Sequence, residues 1–327
     1  MSPPLLLERE AELRSVVEAL DRALEGDGSL VAVEGPAGIG KTHLLRAARE
    51  AAEERGMLVL GARGGELEQE FSGGVVRQLV ERPLALATPE RRAAALGGPA
   101  AAAGVELGLV PAAAGGAPGE FAVLHGLYWL VANLAAEQPV VVGVDDVQWA
   151  DPPSLRFLRY LARRLEGLPV VILLAVRSGD PGSEPQVVRE LLSDPAARLV
   201  TPGPLSEPAT RELLRAQLGP GVDRVFAAAC HAAARGNPFV LRQIADAVQA
   251  DGVDPSSASA EHVAALGSRA VARTILSRLE RTSEDAVRVA RALSLLAAGT
   301  GLRLVAAVAG LDGDRAARAA DELRDAD

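Results

Sequence analysis

Gly35-Pro36-Ala37-Gly38-Ile39-Gly40-Lys41-Thr42 is the stretch from which the rest of the chain can be read. It satisfies the pattern G-x-x-x-x-G-K-[ST] at every specified position. Upstream, Ser29-Leu30-Val31-Ala32-Val33-Glu34 is a short apolar run behind Gly26-Asp27-Gly28, which predicts a buried strand. Downstream, from His43 on, Leu44, Leu45, Ala48 and Ala52 recur at helical spacing. The motif therefore joins a strand to a helix.

That placement carries a chemistry. Glycines let backbone N–H groups close around phosphate oxygens without a Cβ in the way, and the helix that follows adds the positive end of its dipole. Gly35 to His43 are thus candidates to hold the phosphates of ATP or ADP. Lys41 reaches the β- and γ-phosphates, and the Thr42 hydroxyl ligates Mg²⁺. Lys41 is the only lysine in the chain. Arginine serves at every other basic position, so lysine remains where a compact ammonium on a flexible stem is needed instead of a planar fork.

The 327 residues suit two or three domains. No apolar run reaches the ~20 residues that span a bilayer, and the N-terminal leucines are broken too soon by Glu8-Arg9-Glu10 for a signal peptide, so no membrane partner is expected. One cysteine, Cys230, excludes an internal disulfide and fits a cytoplasmic setting. A formal charge of −9 argues against direct nucleic-acid binding by this segment.

Glu10 to Leu24 is an amphipathic helix with Leu13, Val16, Val17, Leu20 and Leu24 on one face. Met57 to Arg63 reads as a second strand and Gly73 to Val80 as the start of a helix. Residues 85–119, rich in Ala, Gly and Pro, are expected to be a weakly ordered insertion, with Ala93 to Leu96 open to a helix. Phe121 to Ala135 reads as a buried helix; Tyr128 and Trp129 suit either a ligand platform or core packing, and core packing is the expectation.

The second informative stretch is Pro139-Val140-Val141-Val142-Gly143-Val144-Asp145-Asp146-Val147-Gln148-Trp149-Ala150-Asp151. So apolar a run predicts a central strand covered on both faces, and it ends in two carboxylates at the edge where parallel sheets bind ligands. Asp145 is placed to hold Mg²⁺ and Asp146 to orient or deprotonate an attacking water. Asp151 caps a helix that starts at Pro152 and runs through Leu165. A further strand over Leu168 to Arg177 ends in a cation, and Arg177 either senses a γ-phosphate or pairs with Asp145 or Asp146. Arg198 to Thr201 is the last strand. Strands and helices alternating at this spacing predict an α/β fold with a parallel, doubly wound sheet.

Beyond the sheet the pattern turns helical. One helix follows Ser206 to Leu218, a second spans Val222 to Ala234, and a third follows Gly236-Asn237-Pro238-Phe239. Asp251 to Ala260 reads as a polar linker. Three further helical patterns lie between Ala270 and Leu323, and the chain is expected to stop partway through a third domain.

Taken together, Leu7-Glu8-Arg9-Glu10-Ala11-Glu12-Leu13, the phosphate loop, His125-Gly126-Leu127-Tyr128-Trp129, the Asp145-to-Asp151 stretch and Gly236-Asn237-Pro238-Phe239 resemble the STAND class of signal-transducing P-loop ATPases. Within that class they resemble the ATPase region of the large ATP-binding (LAL) regulators of the LuxR family. The resemblance implies an AAA+-like P-loop NTPase core over 1–204, a helical lid over 205–250, a linker over 251–264 and the start of a winged-helix domain over 265–327. It also implies that Arg9 contacts the adenine side of the nucleotide and that Pro238 packs on the adenine. The family usually carries Gly where this chain has Glu8. Its DNA-binding domain lies outside this chain, so self-association or the sensor and DNA-binding domains of a longer protein are the implied partners. The expected activity is slow, regulatory ATP hydrolysis, with Lys41, Asp146 and Arg177 as the catalytic set. The alternative is an oligomeric AAA+-type motor or remodelling factor, for which Arg163 or Arg164 would be donated to a neighbouring subunit.

Overall fold

The computed structural model describes residues 6–111, 118–178, 185–194, 197–260, 263, 282–296 and 300–325. They fall into two compact units. The first takes in Met1–Gly35, Lys41–Arg177 and Ser183–Pro202, the second Pro36–Gly40, Ser178–Gly182 and Gly203–Asp327.

The first unit is built on five parallel strands: β1 (Ser29–Gly35), β2 (Leu58–Arg63), β3 (Val140–Asp145), β4 (Val170–Arg177) and β5 (Ala197–Val200). Their spatial order is β2-β3-β4-β1-β5. The central strands are runs of Val, Leu and Ile because both faces are covered. Among the described residues eight helices surround them: α1 (Glu10–Leu24), α2 (Lys41–Glu54), α3 (Gly74–Leu86), α4 (Pro89–Ala95), α5 (Ala100–Glu106), α6 (Glu120–Glu137), α7 (Pro152–Ala162) and α8 (Pro185–Leu192). Alternate strand residues serve alternate faces. Val31, Val33, Val141, Val171 and Leu173 pack with Val16 and Leu20 of α1 and with Leu44 and Leu45 of α2. Leu30, Val140, Val142, Ile172 and Leu174 pack on the other face with residues of α3, α6 and α7. This is the α/β P-loop architecture with a parallel, doubly wound sheet.

Register aligns the strand ends on which the chemistry depends. Gly35 pairs with Arg177, and Arg63 pairs with Asp145.

The expected weak order of 85–119 is corrected by α4 and α5. Ala95, Leu96, Ala100 and Ala103 are buried in the core beside α6. Tertiary donors close both short helices: Asn133 Nδ2 donates to the Ala95 carbonyl at 3.1 Å, and Arg77 Nη1 donates to the Leu107 carbonyl at 2.9 Å. Orphaned C-terminal carbonyls are thus satisfied from outside the segment, which local composition does not reveal. Residues 112–117 of that stretch lie outside the described residues. The α8 helix was not expected either; Val188 and Leu191 place it on the same core.

Trp129 is a second correction. Tyr128 packs on the core, but Trp129 is 38% exposed and Phe121 70% exposed. Trp129 Nε1 donates to His125 Nε2 at 3.0 Å, and the rings of Phe121, His125, Tyr128, Trp129 and Tyr160 form one cluster on α6 and α7.

In the second unit, α9 (Glu207–Leu218), α10 (Arg224–Ala234) and α11 (Pro238–Ala250) bury Leu214, Phe226, Cys230, Leu241 and Ile244. Ser206, Asp223 and Asn237 cap them with side-chain oxygens. Burial pushes the Cys230 thiol up to about 12. Beyond residues 251–260, which hold one short 3₁₀ turn, come α12 (Glu284–Leu295), α13 (Leu302–Ala309) and α14 (Gly313–Asp325) around a small core of Val289, Ala292, Val305 and Ala316. The first of the three expected C-terminal helices falls on residues 270–281, outside the described ones. Among the described residues no helix is long and apolar enough to cross a membrane.

Candidate functional site

The carboxyl end of β3 brings the two aspartates to the edge of the sheet. Asp145 and Asp146 are 6% and 7% exposed, and neither is a solvated strand end. Asp145 Oδ1 accepts from the Asp146 N–H at 3.0 Å, and its carbonyl accepts from Gly64 N–H at 2.9 Å. The chain then turns through Asp146 in the left-handed region, with φ 49° and ψ 47°. Aspartate is one of the few residues that visit this region readily.

That turn aims the Asp146 carboxylate at two arginines. Oδ2 accepts from Arg63 Nη2 at 2.9 Å and from Arg63 Nε at 3.2 Å. Oδ1 accepts from Gln148 Nε2 at 3.1 Å and lies 3.8 Å from Arg177 Nη2. Gln148, buried, also accepts the Arg177 backbone N–H at 3.1 Å through Oε1. One glutamine side chain therefore ties the end of β3 to the end of β4. Of the two readings of Arg177, pairing with Asp146 is the contact present here. Arg63 was not among the residues picked out from the sequence. The signal that would have found it is its position as the last residue of β2, register partner of Asp145.

Asp151, in the same sequence stretch, has a different task. Its Oδ1 accepts from Gly73 N–H at 2.7 Å and from Ser154 N–H at 3.0 Å, and its Oδ2 accepts from Ser154 Oγ at 2.6 Å and from Val75 N–H at 3.2 Å. It caps α7 as expected, and it also anchors the start of α3.

On the face of β2 and β3 that carries Asp145, Gly61 and Gly143 are register partners. A Cβ on Gly143 would stand 3.0 Å from Arg49 Nε, and one on Gly61 would stand 3.4 Å from Arg49 Nη1. The Arg49 guanidinium of α2 fills the slot left by the two missing side chains and donates to the Gly143 carbonyl at 3.0 Å. Burial lowers its pKa, opposed by the charge of Asp145.

In the phosphate loop, Lys41 opens α2 and its Nζ donates to the Gly35 carbonyl at 2.7 Å with the side chain buried. Thr42 is exposed and His43 half-buried. Gly38 and Gly40 take φ of 80° and 107°, and Ile39 N–H closes a turn on the Pro36 carbonyl at 3.4 Å. The loop's five central residues belong to the second unit, where they meet the start of α11. Asn237 Nδ2 donates to the Ala37 carbonyl at 3.0 Å, and Phe239 N–H donates to the Gly38 carbonyl at 3.2 Å. Pro238, between them, is the first residue of α11.

Arg9 is buried at the head of α1, 3.9 Å from Glu12, with Nη1 donating to the Glu8 carbonyl at 2.7 Å. Burial lowers its pKa, opposed by Glu12, Glu8 and Glu10. Glu8 itself has φ 52°, a left-handed conformation that glycine adopts freely and glutamate does not. Of the arginines considered for a neighbouring subunit, Arg164 stacks 3.6 Å over the Tyr160 ring and donates to the Tyr160 carbonyl at 2.9 Å, while Arg163 ends α7.

Among the described residues there is no group of three or more His, Cys, Asp or Glu fit to hold a metal. Asp145 is buried at the end of β3 and Thr42 is exposed in the first turn of α2; Mg²⁺ needs few protein ligands, since it takes most of its coordination from water and phosphate oxygens.

A family model described as AAA ATPase domain matches residues 5–173, more than half of the chain. An uncharacterized protein of Rhizobium meliloti (strain 1021) is 30% identical over 200 residues, a match that covers 53% of this chain and 18% of the length of that relative. The structure of the ORC2 protein of Aeropyrum pernix in ADPNP and ADP complexes superposes with a TM-score of 0.53 at 18% identity, covering 98% of this chain and 95% of that one. A STAND protein with a tetratricopeptide repeat sensor from Pyrococcus horikoshii gives a TM-score of 0.48 at 14% identity, over 98% of this chain and 39% of its own.

Proposed function

The chain belongs to the AAA ATPase domain family, and from that premise we propose that it is an ATP-binding module that hydrolyses slowly and works as a nucleotide-operated switch in a larger regulator of the LuxR type. The observation that carries the reading is the state of Asp146. The carboxylate that would serve an attacking water accepts three side-chain N–H donors, from Arg63 and Gln148, and has Arg177 beside it. A site arranged this way suits retention of nucleotide better than fast turnover.

In this reading Gly35 to Thr42 hold the phosphates, with His43 following. Lys41 leaves the Gly35 carbonyl for the β- and γ-phosphates. Thr42 and Asp145 hold Mg²⁺, which when bound offsets phosphate charge. Arg177 senses the γ-phosphate, and Arg9 and Pro238 take the adenine side. The domain division is 1–204 for the core, 205–250 for the lid, 251–264 for the linker and 265–327 for a winged-helix-like segment. Sensor and DNA-binding domains outside this segment, or further copies of the chain, are the partners, in the cytoplasm. A switch needs only that ATP and ADP favour different states by a few kcal/mol.

The test is to purify the protein without added nucleotide, denature it and identify what is released. Stoichiometric ADP is the expected result, lost in Lys41→Ala. An empty protein that turns ATP over rapidly, faster at higher protein concentration, would replace the switch with the motor.

A further inference from the structure

We propose that Asn237 is a positioning residue for the phosphate loop: it holds the loop's peptide planes in the orientation that binds the phosphates of a nucleoside di- or triphosphate. The inference rests on the nucleotide-binding reading given above and adds to it a residue that the phosphate-loop motif does not contain.

Asn237 divides its amide between two tasks. Its Oδ1 caps α11, accepting from Phe239 N–H at 3.0 Å and Val240 N–H at 3.4 Å. Its Nδ2 donates to the Ala37 carbonyl at 3.0 Å. The Phe239 N–H also reaches the Gly38 carbonyl at 3.2 Å. Two successive carbonyls of the loop are thus occupied by the head of one helix. Both sides of the contact lie within the second compact unit.

A peptide unit is planar and trans, so fixing a carbonyl fixes the N–H on the opposite side of the same plane. The Ala37 carbonyl shares its plane with the Gly38 N–H, and the Gly38 carbonyl shares its plane with the Ile39 N–H. These are amides that a phosphate would need to find already oriented. The fit is close enough to forbid a side chain on the loop. A Cβ at Gly38 would stand 2.6 Å from Phe239 Cβ and 2.8 Å from Asn237 Oδ1. Gly38 therefore answers to two demands, a left-handed φ of 80° and contact with α11. Ordering the loop before the ligand arrives removes an entropic cost from binding, and by linkage a bound phosphate tightens the contact by the same factor.

Asn237→Ser separates the two tasks. Serine caps a helix about as well as asparagine, so the melting temperature is expected to stay within ~2 °C of wild type. It cannot donate as far as the Ala37 carbonyl. Loss of that hydrogen bond is expected to raise the Kd for ADP about fivefold or more. In the nucleotide-free protein, amide hydrogen exchange at Gly38 and Ile39 is expected to quicken while the rest of α11 stays protected. Wild-type Kd together with wild-type exchange in the loop would overturn the proposal. If the serine variant loses stability, Asn237→Asp, which keeps the cap and lacks the donor, is read by the same loop exchange, with the same two outcomes. A wild-type protein that binds neither ADP nor ATP would instead refute the nucleotide reading, and the exchange of the empty loop would still decide the role of Asn237.

Discussion

The Arg63 guanidinium places both Nε and Nη2 on a single oxygen of Asp146, at 3.2 and 2.9 Å, across 83 residues of sequence. The two residues differ sharply in environment: the Arg63 side chain taken alone is 69% exposed and that of Asp146 11%. A nearly buried carboxylate is thus held by an arginine that water can reach and pull away. An ion pair whose arginine is open to water is screened and contributes little to stability, so its effect should fall on turnover instead. Arg63→Ala is expected to raise steady-state phosphate release at least ~3-fold with the Kd for ATP unchanged, and the gain should vanish in an Asp146→Asn background because the two act on one group. A fall in turnover equal to that of Asp146→Asn alone would mean that Arg63 orients the carboxylate for the reaction.

Asp151 sits six residues past Asp145 and invites a metal-binding role, but its two oxygens already accept four hydrogen bonds from two helix starts. Asp151→Ala leaves the Gly73 and Val75 amides without acceptors, and is expected to cost at least ~3 kcal/mol. Thermal denaturation should show a drop of more than ~6 °C. A normal melting temperature with lost Mg²⁺ dependence would reverse the assignment.

Glu8 should be better as glycine. Its φ of 52° costs an L-residue about 1–2 kcal/mol. Glycine gives back part of that gain through its freedom in the unfolded chain, so Glu8→Gly is expected to stabilise by ~0.5–1 kcal/mol. Urea unfolding measures the change, which should come with no loss of nucleotide binding.

Cys230 supplies a probe of opening in the helices α9 to α11. Burial raises its pKa from 9.0 to about 12, so the folded state keeps a neutral thiol where the unfolded chain would ionise. A raised folded value stabilises fully below pH 9.0 and loses that contribution as pH climbs toward about 12. Iodoacetamide labelling at neutral pH should proceed only as fast as the protein opens; labelling at the rate of a free thiol would contradict the burial.

The sheet was legible because its strands are bounded runs of β-branched residues whose burial on both faces leaves no alternation to confuse. Ser29 to Gly35 and Val170 to Arg177 follow the pattern within two residues. The helix caps at Asp151 and Ser206 were legible for the same local reason. Contacts made at a distance were not. α4 and α5 are alanine-rich and depend on Asn133 and Arg77 for their ends, so their own composition reads as loose chain. Arg63 and Asp146 meet only because β2 and β3 are neighbours, and 83 residues of sequence separate them. Trp129 was misjudged because α6 is apolar nearly all round, which conceals the face left to solvent.

Arg49, lying over the glycine pair of β2 and β3, couples its own position in α2 to a distant one in β3. A methyl group at Gly143 would stand 3.0 Å from Arg49 Nε, so the arginine has to give way by a few tenths of an ångström, whereas one at Gly61 would stand at an ordinary contact distance of 3.4 Å. Gly143→Ala should therefore be tolerated better alongside a shortened residue 49, and Gly61→Ala should be indifferent to it. A library that varies sites 49 and 143 jointly will find combinations that one varying each site alone undervalues.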